Sequence, residues 1–183
     1  MDHLANKVIP QLNLPKSEII KLLFERFLHL AQNILCDRKA ALQVSNKAIE
    51  SVQSQSGEWS LDENMIQWAT DFLDKEIECY FQELIGMIKS GSAESENMLC
   101  NILYKRFMMI TCKKVALDNI LRPEDADDIV QNALLTVAKK CRTAKPKGTF
   151  IQWAQTILKY KYGEYRRKKN KQAAQTERPV DGE

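Results

Sequence analysis

Apolar residues recur at helical spacing along almost the whole chain, and the alternation that marks a half-buried strand is nearly absent. Such a chain buries its apolar stripes by laying helix on helix, so the expected fold is all-α, a helical bundle. Six helices are predicted, over residues 17–35, 39–52, 62–87, 97–118, 125–140 and 149–171. In the first, Ile19, Leu22, Leu23, Phe27 and Leu30 share a face, and Pro15 with Ser17 supplies the start signal. SQSGEWS reads as a loop, KSGSAESE (89–96) as a linker, and CRTAKPKG as a break enforced by Pro146 and Gly148. Arg122-Pro123-Glu124-Asp125 restarts the chain, proline suiting a first helical turn and acids the N-terminal dipole. QTERPVDGE is expected to be a frayed tail.

Length and composition narrow the function classes. The 183 residues suffice for one ordinary domain or two small ones. The chain is 44% hydrophobic and 28% charged, with no apolar run of membrane-spanning length and no signal peptide in MDHLANKVIPQLN. No membrane partner and a cytoplasmic location are expected. The five cysteines (Cys36, Cys79, Cys100, Cys112, Cys141) are scattered and form no C-x-x-C pair, and the only histidines are His3 and His29. They read as free thiols, with no metal or cofactor expected. There is no Gly-rich phosphate loop and no plausible Ser-His-Asp or Cys-His set, so an enzyme is not expected.

The net charge of +3 conceals a strong asymmetry. Between Lys139 and Lys171 stand twelve Lys or Arg residues and one acid, Glu164; between Glu58 and Glu83 stand eight acids and one base, Lys75. That distribution speaks of partners rather than of folding. The halves also echo each other. LLFERF (Leu22 to Phe27) matches ILYKRF (Ile102 to Phe107), and IQWA occurs at Ile66 to Ala69 and at Ile151 to Ala154. An internal duplication of a three-helix unit is the reading, with residues 1–90 as a diverged acidic unit, 91–171 as the second unit and 172–183 as a tail or linker.

Two stretches of the second half carry the functional reading. In DADDIVQNALLTVAKK (Asp125 to Lys140), Ile129, Val130, Ala133, Leu134 and Val137 form one apolar face, with Asp128, Gln131, Asn132 and Leu135 away from its centre. Alone, this describes a core-facing helix with a solvated back. A basic, glycine-containing loop and GTFIQWAQTILKYKYGEYRRKKNK follow. There Phe150, Trp153 and Ile157 form a face of buried type, while Lys159, Lys161, Arg166, Arg167, Lys168 and Lys169 interleave with Tyr160, Tyr162 and Tyr165. Cations attract phosphates and aromatic rings offer stacking surfaces to unpaired bases, a combination suited to single-stranded nucleic acid. The plain alternative is a solvated basic face with tyrosines packed sideways.

Taken together, LYKRF, RPEDADDIVQNALLTVAKK and GTFIQWAQTILKYKYGEYRRKK resemble region 2 of bacterial sigma-70-type factors, specifically the extracytoplasmic-function group. The pattern is an acidic D-A-x-D-[LIV]-V-Q helix, here Asp125, Ala126, Asp128, Ile129, Val130 and Gln131. A short loop follows, then F-x-x-W with aliphatic, polar and basic positions, here Phe150, Trp153, Ile157, Glu164 and Arg167. The resemblance implies that Asp128, Gln131, Asn132 and Leu135 face the beta-prime clamp of bacterial core RNA polymerase. It implies that the loop Arg142 to Gly148, with Arg142, Lys145 and Lys147, captures a flipped base of a minus-ten promoter element. It further implies that Lys159, Tyr160, Tyr162, Arg166, Arg167 and Lys168 hold the single-stranded promoter DNA. Phe150 and Trp153 are assigned mainly to the core.

The sequence also departs from that pattern. Tyr160 stands where the family commonly carries asparagine and Ala154 where it carries leucine, which puts the promoter sequence in doubt. Nothing after Lys171 resembles region 4; either the chain is a fragment or the protein works without that domain. In the N-terminal copy, MIQWATDFLDKEIECYFQEL, packing residues persist while Asp71, Asp74, Glu76, Glu78 and Glu83 replace cations. That copy is either a solvated structural extension or an acidic cover for the basic helix. The expected function is a transcription initiation factor. The alternatives are a diverged sigma-like module acting through an anti-sigma-type regulatory protein, and a general single-strand binder.

Overall fold

Six helices carry all regular structure among the residues that the computed structural model describes, 14–55, 63–143 and 148–176. They are α1 (Lys16–Leu35), α2 (Arg38–Gln53), α3 (Glu63–Lys89), α4 (Ala93–Val115), α5 (Asp125–Cys141) and α6 (Phe150–Thr176). The chain divides into two compact units, Met1–Tyr80 and Phe81–Glu183, and the division falls inside α3, upstream of KSGSAESE. Most of SQSGEWS, residues 144–147 of the basic loop and 177–183 lie outside the described residues.

In the first unit α1 packs on α2. Helix α1 buries Ile19, Leu23, Phe27, Ala31 and Leu35, a line at i, i+4, whereas Leu22 is exposed and Leu30 half-buried. The expected stripe thus turns toward Ala31. Helix α2, on which α1 packs, also buries small residues, Ala40, Ala41 and Ala48. Cys36 closes α1 in the left-handed region (φ 51°), its N–H donating to the Gln32 carbonyl. Asp37 then caps α2 by accepting from the Ala40 N–H at 2.8 Å. The first part of α3 contributes Ala69, Leu73, Ile77 and Tyr80 to the buried set.

The second unit begins with the last turns of α3, where Phe81, Leu84, Ile85 and Ile88 are buried. Ser90-Gly91-Ser92 then reverses the chain. The Ser92 N–H donates to the Met87 carbonyl at 2.9 Å and the Gly91 N–H to the Ile88 carbonyl at 3.0 Å, with Gly91 at φ 93°. Ser92 also caps α4 through the Ser95 N–H, so α4 starts at Ala93, earlier than predicted. Helix α5 packs against both α4 and α6. The core here is Leu99, Ile102, Leu103 and Phe107 of α4, Ile129, Val130, Ala133 and Val137 of α5, and Phe150, Ala154 and Leu158 of α6. Trp153 and Ile157, expected on the buried face of α6, are half-buried beside it; Ala154 and Leu158 take the centre.

The sequence echoes extend to burial. Leu23 and Phe27 of α1 match the buried Leu103 and Phe107 of α4, and Ala69 and Leu73 match Ala154 and Leu158. The middle helices agree as well, although their sequences look unalike. Ala41, Val44, Ser45, Ala48 and Val52 of α2 correspond, at one constant offset, to Ala126, Ile129, Val130, Ala133 and Val137 of α5, all buried.

Candidate nucleic-acid interface

Both expected faces belong to the second unit, on α5 and α6. On α5, Asp128, Gln131, Asn132 and Leu135 are exposed and lie at i, i+3, i+4 and i+7, a single stripe one side chain wide. Leu135 is 59% exposed, a single apolar side chain among the polar ones of the stripe. The stripe is internally tied. Gln131 Nε2 donates to Asp127 Oδ2 at 2.7 Å, Asn132 Nδ2 donates to the Asp128 carbonyl at 2.8 Å, and Tyr104 of α4 donates its hydroxyl to Asp127 Oδ1 at 3.0 Å. Tyr104 and Asp127 thereby join the stripe from the α4 side, which the sequence alone does not suggest. Burial and charge on one helix do not reveal a tyrosine on its neighbour.

Helix α6 starts from Gly148, held at φ 89°, where a Cβ would meet Gln152 Oε1 at 2.8 Å. Thr149 and Gln152 then exchange a capping box: the Gln152 N–H donates to Thr149 Oγ1 at 3.3 Å and the Thr149 N–H to Gln152 Oε1 at 3.4 Å. Tyr160 is 62% exposed, with Lys161 Nζ 5.7 Å from its ring centre. Trp153, Tyr160 and Arg167 recur every seven residues, which places them along one line of the helix. Lys159, Arg167 and Lys168 are exposed and form no ion pair among the described residues. Lys161, and more weakly the charge of Arg167, hold the Glu164 carboxyl below the ordinary glutamate value.

The other predicted contacts are engaged inside the unit. Asp118, in the α4–α5 connection, has a side chain only 7% exposed; it receives the Ile120 N–H at 2.9 Å, the Tyr162 hydroxyl at 2.9 Å and Arg166 Nε at 2.8 Å. Asp125, 4% exposed, receives the Arg122 N–H at 2.8 Å, the Tyr165 hydroxyl at 2.9 Å and Lys169 Nζ at 2.8 Å. The Tyr165 hydroxyl also lies 3.0 Å from Asp128 Oδ2. Burial would push both carboxyls up, yet the donors and cations outweigh it and hold them below the ordinary aspartate value. Burial and the Asp118 carboxylate push the Tyr162 phenol up to about 12, and burial with Asp125 and Asp128 pushes Tyr165 up as well. Both hydroxyls stay protonated and donating across the ordinary pH range.

Arg142 donates to Glu96 Oε2 at 3.1 Å, and Lys145 and Lys147 lie outside the described residues. A cleft between α5 and α6, of about 200 Å³, is lined by Ile129, Asn132, Lys161, Glu164, Tyr165 and Lys168. It is smaller than the roughly 300–1,000 Å³ typical of small-molecule sites, and Lys161 is already paired with Glu164 at 2.9 Å. The spacing that announces the anchors is tyrosine followed four residues later by a cation, at Tyr162/Arg166 and Tyr165/Lys169. The acids that receive them are too distant in sequence for that spacing to reveal.

No protein-family model, curated protein or solved structure matches the chain. What the geometry defines is an all-helical unit with an acidic-amide stripe on one helix and a cationic, aromatic face on the next. Among the described residues no helix is long and apolar enough to cross a membrane.

Proposed function

We propose that the chain is a sigma-type transcription initiation factor, located in the cytoplasm, that binds core RNA polymerase and recognises and opens a minus-ten-like promoter element. One observation carries the reading: two exposed faces of opposite chemistry stand on consecutive helices of a single packed unit. Asp128, Gln131, Asn132 and Leu135 on α5 offer carboxylate, amide and apolar contacts to the beta-prime clamp. Lys159, Tyr160, Arg167 and Lys168 on α6 offer phosphate contacts and a stacking ring to the separated strand. Such a factor performs no covalent step. Stacking and phosphate contacts offset the few kcal/mol that each extruded base costs.

The test is co-elution of the 183-residue chain with bacterial core RNA polymerase on size exclusion. Co-elution that is lost on Asp128→Ala with Gln131→Ala supports docking through α5. A folded chain that does not co-elute counts against the reading and favours a regulatory protein of the anti-sigma type as the partner.

A further inference from the structure

We propose that Asp118 and Asp125 set how many cations of α6 reach nucleic acid, by holding Arg166 and Lys169 against the protein and leaving Lys159, Arg167 and Lys168 for phosphate. The inference rests on the reading of α6 as a nucleic-acid face and deepens it.

Helix α6 is held in two different ways along its length. Its apolar anchors are Phe150, Ala154 and Leu158, and no described residue of the helix beyond Leu158 is buried. The second half is seated by polar contacts to two stations of the same make-up. Each station is a nearly buried aspartate that accepts one backbone N–H, one tyrosine hydroxyl and one cation. In each, the tyrosine and the cation stand four residues apart, so both side chains leave the same face of α6.

Competition between aspartate and phosphate for these cations is unequal. Withdrawing a cation from Asp118 or Asp125 leaves a recessed carboxylate with one backbone N–H and one tyrosine hydroxyl but no counter-charge. A phosphate contact at the helix surface forms in water and is screened by salt. Arg166 and Lys169 therefore stay on their aspartates when a strand binds. Composition counts every cation of YRRKK as available, whereas this arrangement removes two of them.

The probe is a single-stranded DNA oligonucleotide carrying a minus-ten-like sequence, bound to the full chain, with affinity followed against salt concentration. Each phosphate-paired cation contributes about 0.7 to the slope of log K against log salt on a single strand. Arg166→Gln is expected to leave slope and affinity within twofold of the unaltered chain, with helicity unchanged. Asp118→Asn keeps an oxygen for the Ile120 N–H and turns its NH2 to the position where Tyr162 and Arg166 donate. The Tyr162 hydroxyl can accept from that NH2 whereas Arg166 cannot, so Arg166 is freed and the slope should steepen by about 0.7. Adding Arg166→Gln to Asp118→Asn should return it. Asp125→Asn and Lys169→Gln form an independent second pair.

A slope that falls by about 0.7 on Arg166→Gln in the unaltered chain overturns the inference and leaves the nucleic-acid reading standing. So does a folded Asp118→Asn chain with an unchanged slope. Should Asp118→Asn fail to fold, Arg166→Gln alone decides. An unaltered chain that shows no salt-dependent binding overturns the nucleic-acid reading, and the inference with it.

Discussion

Asp118 and Asp125 are acids whose neighbours, not their burial, decide their charge. Their folded carboxyls titrate below the ordinary 3.8, so unfolding raises their proton affinity. Their stabilisation is present above the ordinary value and is lost as pH falls through the lower folded one. Denaturant titrations between neutrality and about pH 4 should give a constant contribution, with the loss confined to more acid solution. The double variant Asp118→Asn, Asp125→Asn should be less stable at neutral pH and should lose less on acidification; an unchanged acid limb would contradict this. The sign is opposite for Tyr162, whose folded value is raised from 10.0 to about 12, so its contribution is present below 10.0 and lost as pH rises through about 12. Ser45 is the converse case, a hydroxyl at 0% exposure with no hydrogen-bond partner among the described residues. Its counterpart in the second unit is Val130. Ser45→Ala should raise stability by about 1 kcal/mol, read as a higher denaturant midpoint at unchanged slope.

Among the elements, helix existence is legible in the sequence, and the ends of α1, α2 and α5 fall within one residue of expectation, but the start of α4 and the end of α6 do not. KSGSAESE reads as a linker because its residues are small and polar, yet those residues make a tight cap, turn and cap in which Gly91 and Ser92 close α3 and Ser92 opens α4. A methyl group added at Gly91 would meet nothing, but the backbone there sits at φ 93°, so Gly91→Ala should cost about 1 kcal/mol through strain alone. Thermal unfolding would measure it, and a neutral substitution would mean that the turn relaxes. Face assignment is legible to within one position. Apolarity alone puts Leu22, Leu30, Trp153 and Ile157 inside, whereas the fold buries Ala31 and Ala154 fully and leaves those larger side chains half-buried or exposed. For the site, the exposed stripe of α5 can be read from periodicity. Which α6 cations are spoken for cannot, because Asp118 and Asp125 reach them only through the fold.

At the scale of the whole molecule, the division between Tyr80 and Phe81 matters for any dissection. A fragment beginning at Gly91 would discard Phe81, Leu84, Ile85 and Ile88, all buried, and with them the Phe81 ring 5.3 Å from that of Phe150. A fragment beginning at Phe81 should unfold cooperatively. One beginning at Gly91 should be weaker by several kcal/mol, roughly 1.5 or more for each large apolar side chain lost. Equal stabilities would mean that those turns contribute nothing to the second unit. The matched burial of the two units has a different consequence. On the offset that aligns the two IQWA segments, Lys159, Tyr160, Arg167 and Lys168 correspond to Asp74, Lys75, Gln82 and Glu83. The match in burial runs only as far as Leu73 and Leu158: beyond them α3 buries Ile77, Tyr80, Phe81, Leu84, Ile85 and Ile88, whereas α6 buries none of its described residues. Transplanting the four side chains from α6 onto α3 asks whether a surface suffices for recognition when the helix beneath it is seated by apolar packing instead of by two carboxylates.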